Sequence, residues 1–178
     1  MSWARAIFTA NLASPAAPRE AALPPEMKDR LLDAIRAELR ARFDRLTRAA
    51  KDAHAAATDP GSKAESKYDT RSLEASYLAA GQARQLEDLA RDVSLFDTVN
   101  LPDFGIDDPI DAGALVEADL HGESTWFLLS PAAGGLEIIH DGLEVTLLTP
   151  ESALYQKLLG LRTGDRLDDP PLFVSEVR

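Results

Sequence analysis

The chain has 178 residues, 45% of them hydrophobic, with no cysteine and a formal net charge of −11. That apolar share suits a packed core, and the missing cysteines exclude disulfides, thiolate metal ligands and cysteine nucleophiles together. No run approaches the roughly 18 consecutive apolar residues of a membrane span, and Arg5 and Asn11 interrupt the start where a signal peptide needs a continuous apolar segment, so a soluble cytoplasmic protein is expected.

Residues 1–26 scatter Pro15, Pro18, Pro24 and Pro25 among alanines with no sustained period, which reads as a flexible leader. Met27 stands at its end as a second candidate start. Beyond it the pattern changes. Leu32, Ile35, Leu39, Phe43, Leu46, Ala50, Ala53 and Ala57 recur three and four apart, an apolar stripe along one long helix. Glu38 with Arg42 and Asp44 with Arg48 are acid-before-base pairs four apart that support it. Asp59-Pro60-Gly61 breaks the helix, and a second stripe follows in Ser76, Ala79, Ala83, Leu86, Ala90 and Val93. Residues 27–93 are therefore expected to form an antiparallel coiled-coil hairpin with arms ~45 Å long at 1.5 Å per residue. Small residues (Ala50, Ala53 and Ala57 opposite Ser76 and Ala79) are expected to let the arms approach closely at the far end. Larger ones (Leu32, Ile35, Leu39 and Phe43 opposite Leu86, Leu89 and Val93) are expected to fill the base.

Residues 94–112 hold Pro102, Gly105, Pro109 and five aspartates without a period, an acidic linker in which Leu95, Phe96 and Phe104 are candidates to pin the hairpin base. Strand signals then come quickly over 113–178. Ala114 to Leu120 alternates, Thr125 to Leu129 is a strong strand, and Leu136 to His140 and Leu143 to Leu148 flank the hairpin turn Asp141-Gly142. Pro150 sits at a first-turn position for a helix over Ala153–Leu159, closed by Gly160. Gly164-Asp165 turns again and Leu172-Phe173-Val174 is a last strand. The class is α+β, with helices first and a compact antiparallel β unit after them.

Charge is unevenly shared. Residues 27–57 carry eight Lys/Arg against five Asp/Glu, whereas residues 94–178 carry four against sixteen. The acidic half repels nucleic-acid phosphates, so any contact with DNA or RNA is expected to be indirect, and a basic protein partner is the one it would attract.

Thr149-Pro150-Glu151-Ser152-Ala153-Leu154-Tyr155-Gln156-Lys157-Leu158-Leu159-Gly160, then Gly164-Asp165, resembles the "S-P-x-x-x-A-L-L-G…G-D" segment of the GreA/GreB transcription elongation factors. Lys67-Tyr68-Asp69-Thr70-Arg71, with Gln82 and Gln85, is similar to that family's second hairpin helix. The resemblance covers residues 27–178 and implies a C-terminal domain of FKBP-like fold after the hairpin. It implies binding of bacterial RNA polymerase at the secondary channel, the C-terminal domain at the rim and the hairpin directed inward. In the family, two tip carboxylates help to hold a Mg²⁺ shared with the polymerase. One or two carboxylates can complete the shell of such a hard cation, and two metals can activate water for RNA cleavage. The chain has no cofactor of its own in this reading, and the polymerase is the enzyme.

The tip departs from the family. Aligning Tyr68 with the tyrosine of the family's "G-D-L-x-E-N-A-E-Y" puts Gly61 and Ala64 where the acids belong. The local candidates are Asp59, Glu65 and Asp69, and Lys63, Lys67 and Arg71 crowd them, so weak or absent cleavage stimulation is expected. Within 149–160, Leu154 and Leu158 are expected to face the core, leaving Tyr155 and Gln156 to meet a partner.

Other constellations are absent. His54, His121 and His140 fall in different elements with no zinc spacing, Ser130 and Ser152 lack a nucleophile-elbow context, and Trp126 reads as a core residue. No catalytic residue is assigned. Two further readings stay open: an FKBP-like prolyl isomerase or chaperone module, and a coiled-coil adaptor without polymerase binding.

Overall fold

The computed structural model of the chain describes residues 27–58 and 70–178. The leader over 1–26 and the hairpin turn expected around Asp59-Pro60-Gly61 lie outside the described residues. Two long helices come first, α1 (Met27–Thr58) and α2 (Thr70–Thr98). They pack antiparallel: Arg40 early in α1 pairs with Asp97 late in α2, while Leu46 and Ala49 share an open groove with Gln85 and Leu89. α2 runs past Val93 to Thr98, because Leu89, Val93 and Phe96 continue the spacing of three and four and no breaker arrives before Pro102. Phe96 is fully buried whereas Leu95 is 39% exposed, so of the two neighbours only Phe96 pins the hairpin base.

Six strands follow with one short helix between them: β1 (Leu115–Leu120), β2 (Glu123–Leu129), β3 (Glu137–His140), β4 (Leu143–Leu148), α3 (Ala153–Leu158), β5 (Arg166–Asp168) and β6 (Pro171–Val177). They form one sheet in the order β3-β4-β2-β1-β6-β5. The expected all-antiparallel pairing is corrected here. β2 and β4 run parallel, with Trp126 opposite Val145 and Leu128 opposite Leu147. The reason lies in the chain between them. Residues 130–142 carry the path past one strand position, β3 returns along the edge, and the tight turn at Asp141-Gly142 folds β4 back into the gap beside β2. A parallel neighbour requires a crossover of about a dozen residues, and this segment supplies one. Both residues of the His121-Gly122 and Asp141-Gly142 turns have positive φ, from 51° to 90°. That is the primed-turn geometry whose twist suits a two-residue hairpin.

Each face of the sheet is covered. Along β2, Trp126 and Leu128 point to one side and Phe127 and Leu129 to the other, and all four are buried. A strand buried on both faces needs an unbroken apolar run, which explains Trp126-Phe127-Leu128-Leu129. On the first face, Trp126, Leu128, Ile138, Val145 and Leu147 meet the hairpin base through Met27, Leu31, Leu32, Ile35, Leu39 and Phe96. On the second, Phe127, Leu129, Val116, Val174 and Val177 meet Ile110, Tyr155 and Leu158. One core thus draws on both the helices and the sheet.

The far end of the hairpin is corrected as well. Ala50 is half-buried, but Ala53 and Ala79 are exposed, so these two do not form the close seam expected of them, and the side chains of Ala57 and Ser76 lie outside those described. An alanine methyl removes too little apolar surface from water to hold two helices together.

Candidate partner-binding surface

The segment 149–160 is held from three directions. Beneath it, Gly134 lies so close to Thr149 that a Cβ built there would stand 2.7 Å from the threonine Oγ1, so this turn accepts only glycine without a shift. Within it, the Ser152 amide donates to the Thr149 carbonyl at 2.8 Å and the Gln156 side-chain amide donates to the Pro150 carbonyl at 2.8 Å. At its end Gly160 takes φ of +81°, and its amide donates to the Ile110 carbonyl at 2.8 Å while the Ile110 amide donates to Leu161 at 2.7 Å. The left-handed φ at Gly160 is one that glycine adopts without penalty. The turn and α3 are therefore fixed to the sheet, and the polar groups they expose have a set geometry.

α3 divides its side chains unlike the expectation. Leu158 is fully buried and Leu154 partly so, as a four-residue spacing predicts. Tyr155 is also buried, at 5% exposure, and is corrected from a free aromatic to a core one. Its place beside Ile110 and Leu158 follows from helix geometry: residues 155 and 158 are three apart and share a face. Burial pushes the Tyr155 hydroxyl above its ordinary pKa, and the nearby Asp111 carboxylate adds to the effect. Gln156, by contrast, is exposed. Around it Pro150, Glu151, Lys157 and Leu159 are exposed too. The Glu151 carboxyl is held below its ordinary pKa by a hydrogen bond from Thr149 and by its own backbone amide. Lys157 is tied across the surface, its Nζ donating to the Asp169 carbonyl at 2.6 Å and to Asp169 Oδ2 at 3.2 Å. The sequence reading missed Glu151 and Lys157. Only their place on either side of the core positions 154, 155 and 158 marks them.

The hairpin-tip candidates Asp59, Glu65 and Asp69 lie outside the described residues. Higher on the hairpin, Tyr77 and Leu78 of α2 are 72% and 65% exposed, a large apolar pair. Lower down, the groove between the helices sets Arg42 and Arg45 opposite Asp88 and Asp92 over a floor of Leu46, Ala49 and Leu89. Burial raises the Asp92 pKa, and the Asp88 charge raises it further. Among the described residues no three His, Asp or Glu side chains gather as a metal site. Among them, too, no helix is long and apolar enough to cross a membrane.

No protein-family model matches the chain, and no curated protein matches it. Solved structures that it resembles include GreA factor homolog 1 (Gfh1) of Thermus thermophilus, at 21% identity over 82% of this chain and 95% of that one, with a TM-score of 0.32. Gfh1 of Thermus aquaticus is similar at 18% identity over the same shares, with a TM-score of 0.34. A further structure described as the transcription factor Gfh1 matches at 19% identity and a TM-score of 0.33, covering 82% of this chain and 94% of that one. At such scores fold and activity rest on this chain's own residues.

Proposed function

We propose that the chain is a Gre-like factor that binds bacterial RNA polymerase at the secondary channel and regulates elongation without catalysing a reaction itself. The observation that carries this reading is the segment from Thr149 to Gly160, whose sequence resembles a segment of that family and which forms a fixed turn and helix on the surface. The order of elements supports it, with a long hairpin ahead of a sheet whose proposed ancestry is FKBP-like. In this reading Gln156, Glu151 and Lys157 meet the polymerase rim, and Tyr155 acts from below by holding α3 in place. The hairpin enters the channel, and Glu65 or Asp69, with Asp59 third, would lie nearest the Mg²⁺ that the polymerase holds.

The test is co-elution of the full chain with purified bacterial core RNA polymerase, followed by transcript cleavage in a backtracked complex. Binding with weak or no cleavage stimulation is the expected result. Strong stimulation lost in Glu65→Ala or Asp69→Ala would keep the binding and overturn the channel-occupying form of the proposal. Absence of binding would overturn the proposal itself. Capture of unfolded clients would then favour the chaperone reading, and self-association alone the adaptor.

A further inference from the structure

The connection between hairpin and sheet reads from its composition as a linker, yet α1 grips it at both ends. Lys28, in the first turn of α1, is only 7% exposed. Its Nζ donates to the Pro102 carbonyl and, at 3.2 Å, to the Gly113 carbonyl, and it stands 4.9 Å from the centre of the Phe104 ring. Arg36, two turns further along, donates from Nε to the Phe96 carbonyl at 2.7 Å and from Nη2 to the Val99 carbonyl at 3.5 Å. The first of these last two carbonyls lies in the final turn of α2 and the second one residue beyond it, and α2 has no basic residue of its own in its last turn. Helix C-termini leave such carbonyls without partners, and a cation there is favourable. Arg40 pairs with Asp97 on the same flank. The strap is also closed on itself: Gly113, at φ +86°, lies so near Pro102 that a Cβ would stand 2.5 Å from the ring Cδ.

We propose that Lys28 and Arg36 clasp residues 96–113 as a strap, so that the hairpin leaves the sheet at one fixed angle and the two move as a single body. The chemistry favours this over a hinge. A hinge must let its backbone carbonyls exchange partners freely with water. Here four of them are directed at two cations, one of them almost wholly withdrawn from solvent. Moving the hairpin would strand the Lys28 ammonium between carbonyls it no longer reaches, a costly state for a buried charge. A buried ion held by several oxygens and a ring face also has one geometry in which all of them are satisfied. This inference does not depend on which partner the chain binds.

The absence of native cysteine makes the test clean. Spin labels are placed at Asp44→Cys on α1 and Glu123→Cys at the start of β2, both exposed and outside the clasp, and the distance distribution is read by pulsed electron resonance. The labelled chain is expected to give one narrow peak. Adding Lys28→Met and Arg36→Met, which remove the donors and keep much of the side-chain stems, should abolish that single peak while circular dichroism stays helical. A distribution that is already broad or double in the unaltered clasp overturns the proposal, and so does a narrow peak that survives both substitutions. Should the double substitution prevent folding, Arg36→Met alone is read in the same way: broadening supports the strap and an unchanged peak overturns it.

Discussion

The root and the shaft of the hairpin share one apolar period and differ in what it meets. At the root, Leu31, Leu32, Ile35 and Leu39 of α1 and Phe96 of α2 are buried, because a third surface, the sheet, closes over them with Trp126, Ile138, Val145 and Leu147. Along the shaft, Ala53, Ala79 and Ala83 hold the same positions in the stripe and are exposed. Side-chain size and the sheet's reach account for the change. Burying a leucine, isoleucine or phenylalanine contributes roughly 1.5–3 kcal/mol, and an alanine methyl contributes a fraction of that. A stripe marks which face could be buried, and a third partner decides where it is.

The largest expected difference sets Ile35 against Ala53. Ile35→Ala should destabilise the chain by about 2–5 kcal/mol, because it opens a cavity where helix and sheet meet. Ala53→Ser should stay within about 0.5 kcal/mol. Urea unfolding of both variants checks the pair, and similar losses would mean that the shaft is packed like the root. On the sheet's other face, Tyr155→Glu should cost about 3 kcal/mol or more by placing an unpaired carboxylate among Ile110 and Leu158. Gln156→Glu next to it gives up one exposed hydrogen bond, to the Pro150 carbonyl, and should cost about 1 kcal/mol or less.

A smaller effect belongs to alkaline pH. Burial lowers the Lys28 pKa from the ordinary 10.5 to about 8, against the opposing pull of Asp103. Above pH 8 the native chain therefore releases a proton that the unfolded chain still holds, and stability should rise toward pH 10 by on the order of 2 kcal/mol. Tyr155 acts in the other direction beyond pH 10. Its raised pKa means that the unfolded chain ionises first, so stability then falls. Lys28→Met should remove the rise, and Tyr155→Phe should remove this contribution to the fall. Unfolding curves at half-unit steps from pH 7 to 11 would show a rise in Lys28→Met if another group were responsible. The smallest effect on stability is expected at Tyr77, where Tyr77→Ser on the exposed shaft should leave unfolding unaltered within about 0.5 kcal/mol.

Much of this was legible from periodicity. The helices, the Asp141-Gly142 turn, the short helix after Pro150 and the buried Trp126 follow from spacing and turn chemistry acting locally. What was not legible depends on contacts distant in sequence. The parallel β2–β4 pair arises from β4 entering a gap that no local signal announces. Tyr155 looked free because the core face was given to Leu154 and Leu158, four apart, and the approach of Ile110 from the connecting segment widens that face to include it. Nothing in the sequence marks Lys28 and Arg36, since their acceptors are backbone carbonyls, which carry no sequence signature. The segment proposed to dock was legible as a motif, but its exposed members had to be read from the fold.

Photo-crosslinking from the exposed surfaces tests the polymerase reading most directly. A benzophenone amino acid is placed at Gln156, at Tyr77 or, as a control on the sheet's far turn, at Glu123, and the chain is irradiated with bacterial core RNA polymerase. Crosslinks to polymerase subunits from Gln156 and Tyr77, and none from Glu123, are the result expected of a factor docked by α3 with its shaft in the channel. Crosslinks from Gln156 and Tyr77 to a second copy of this chain alone, or to nothing, would contradict it.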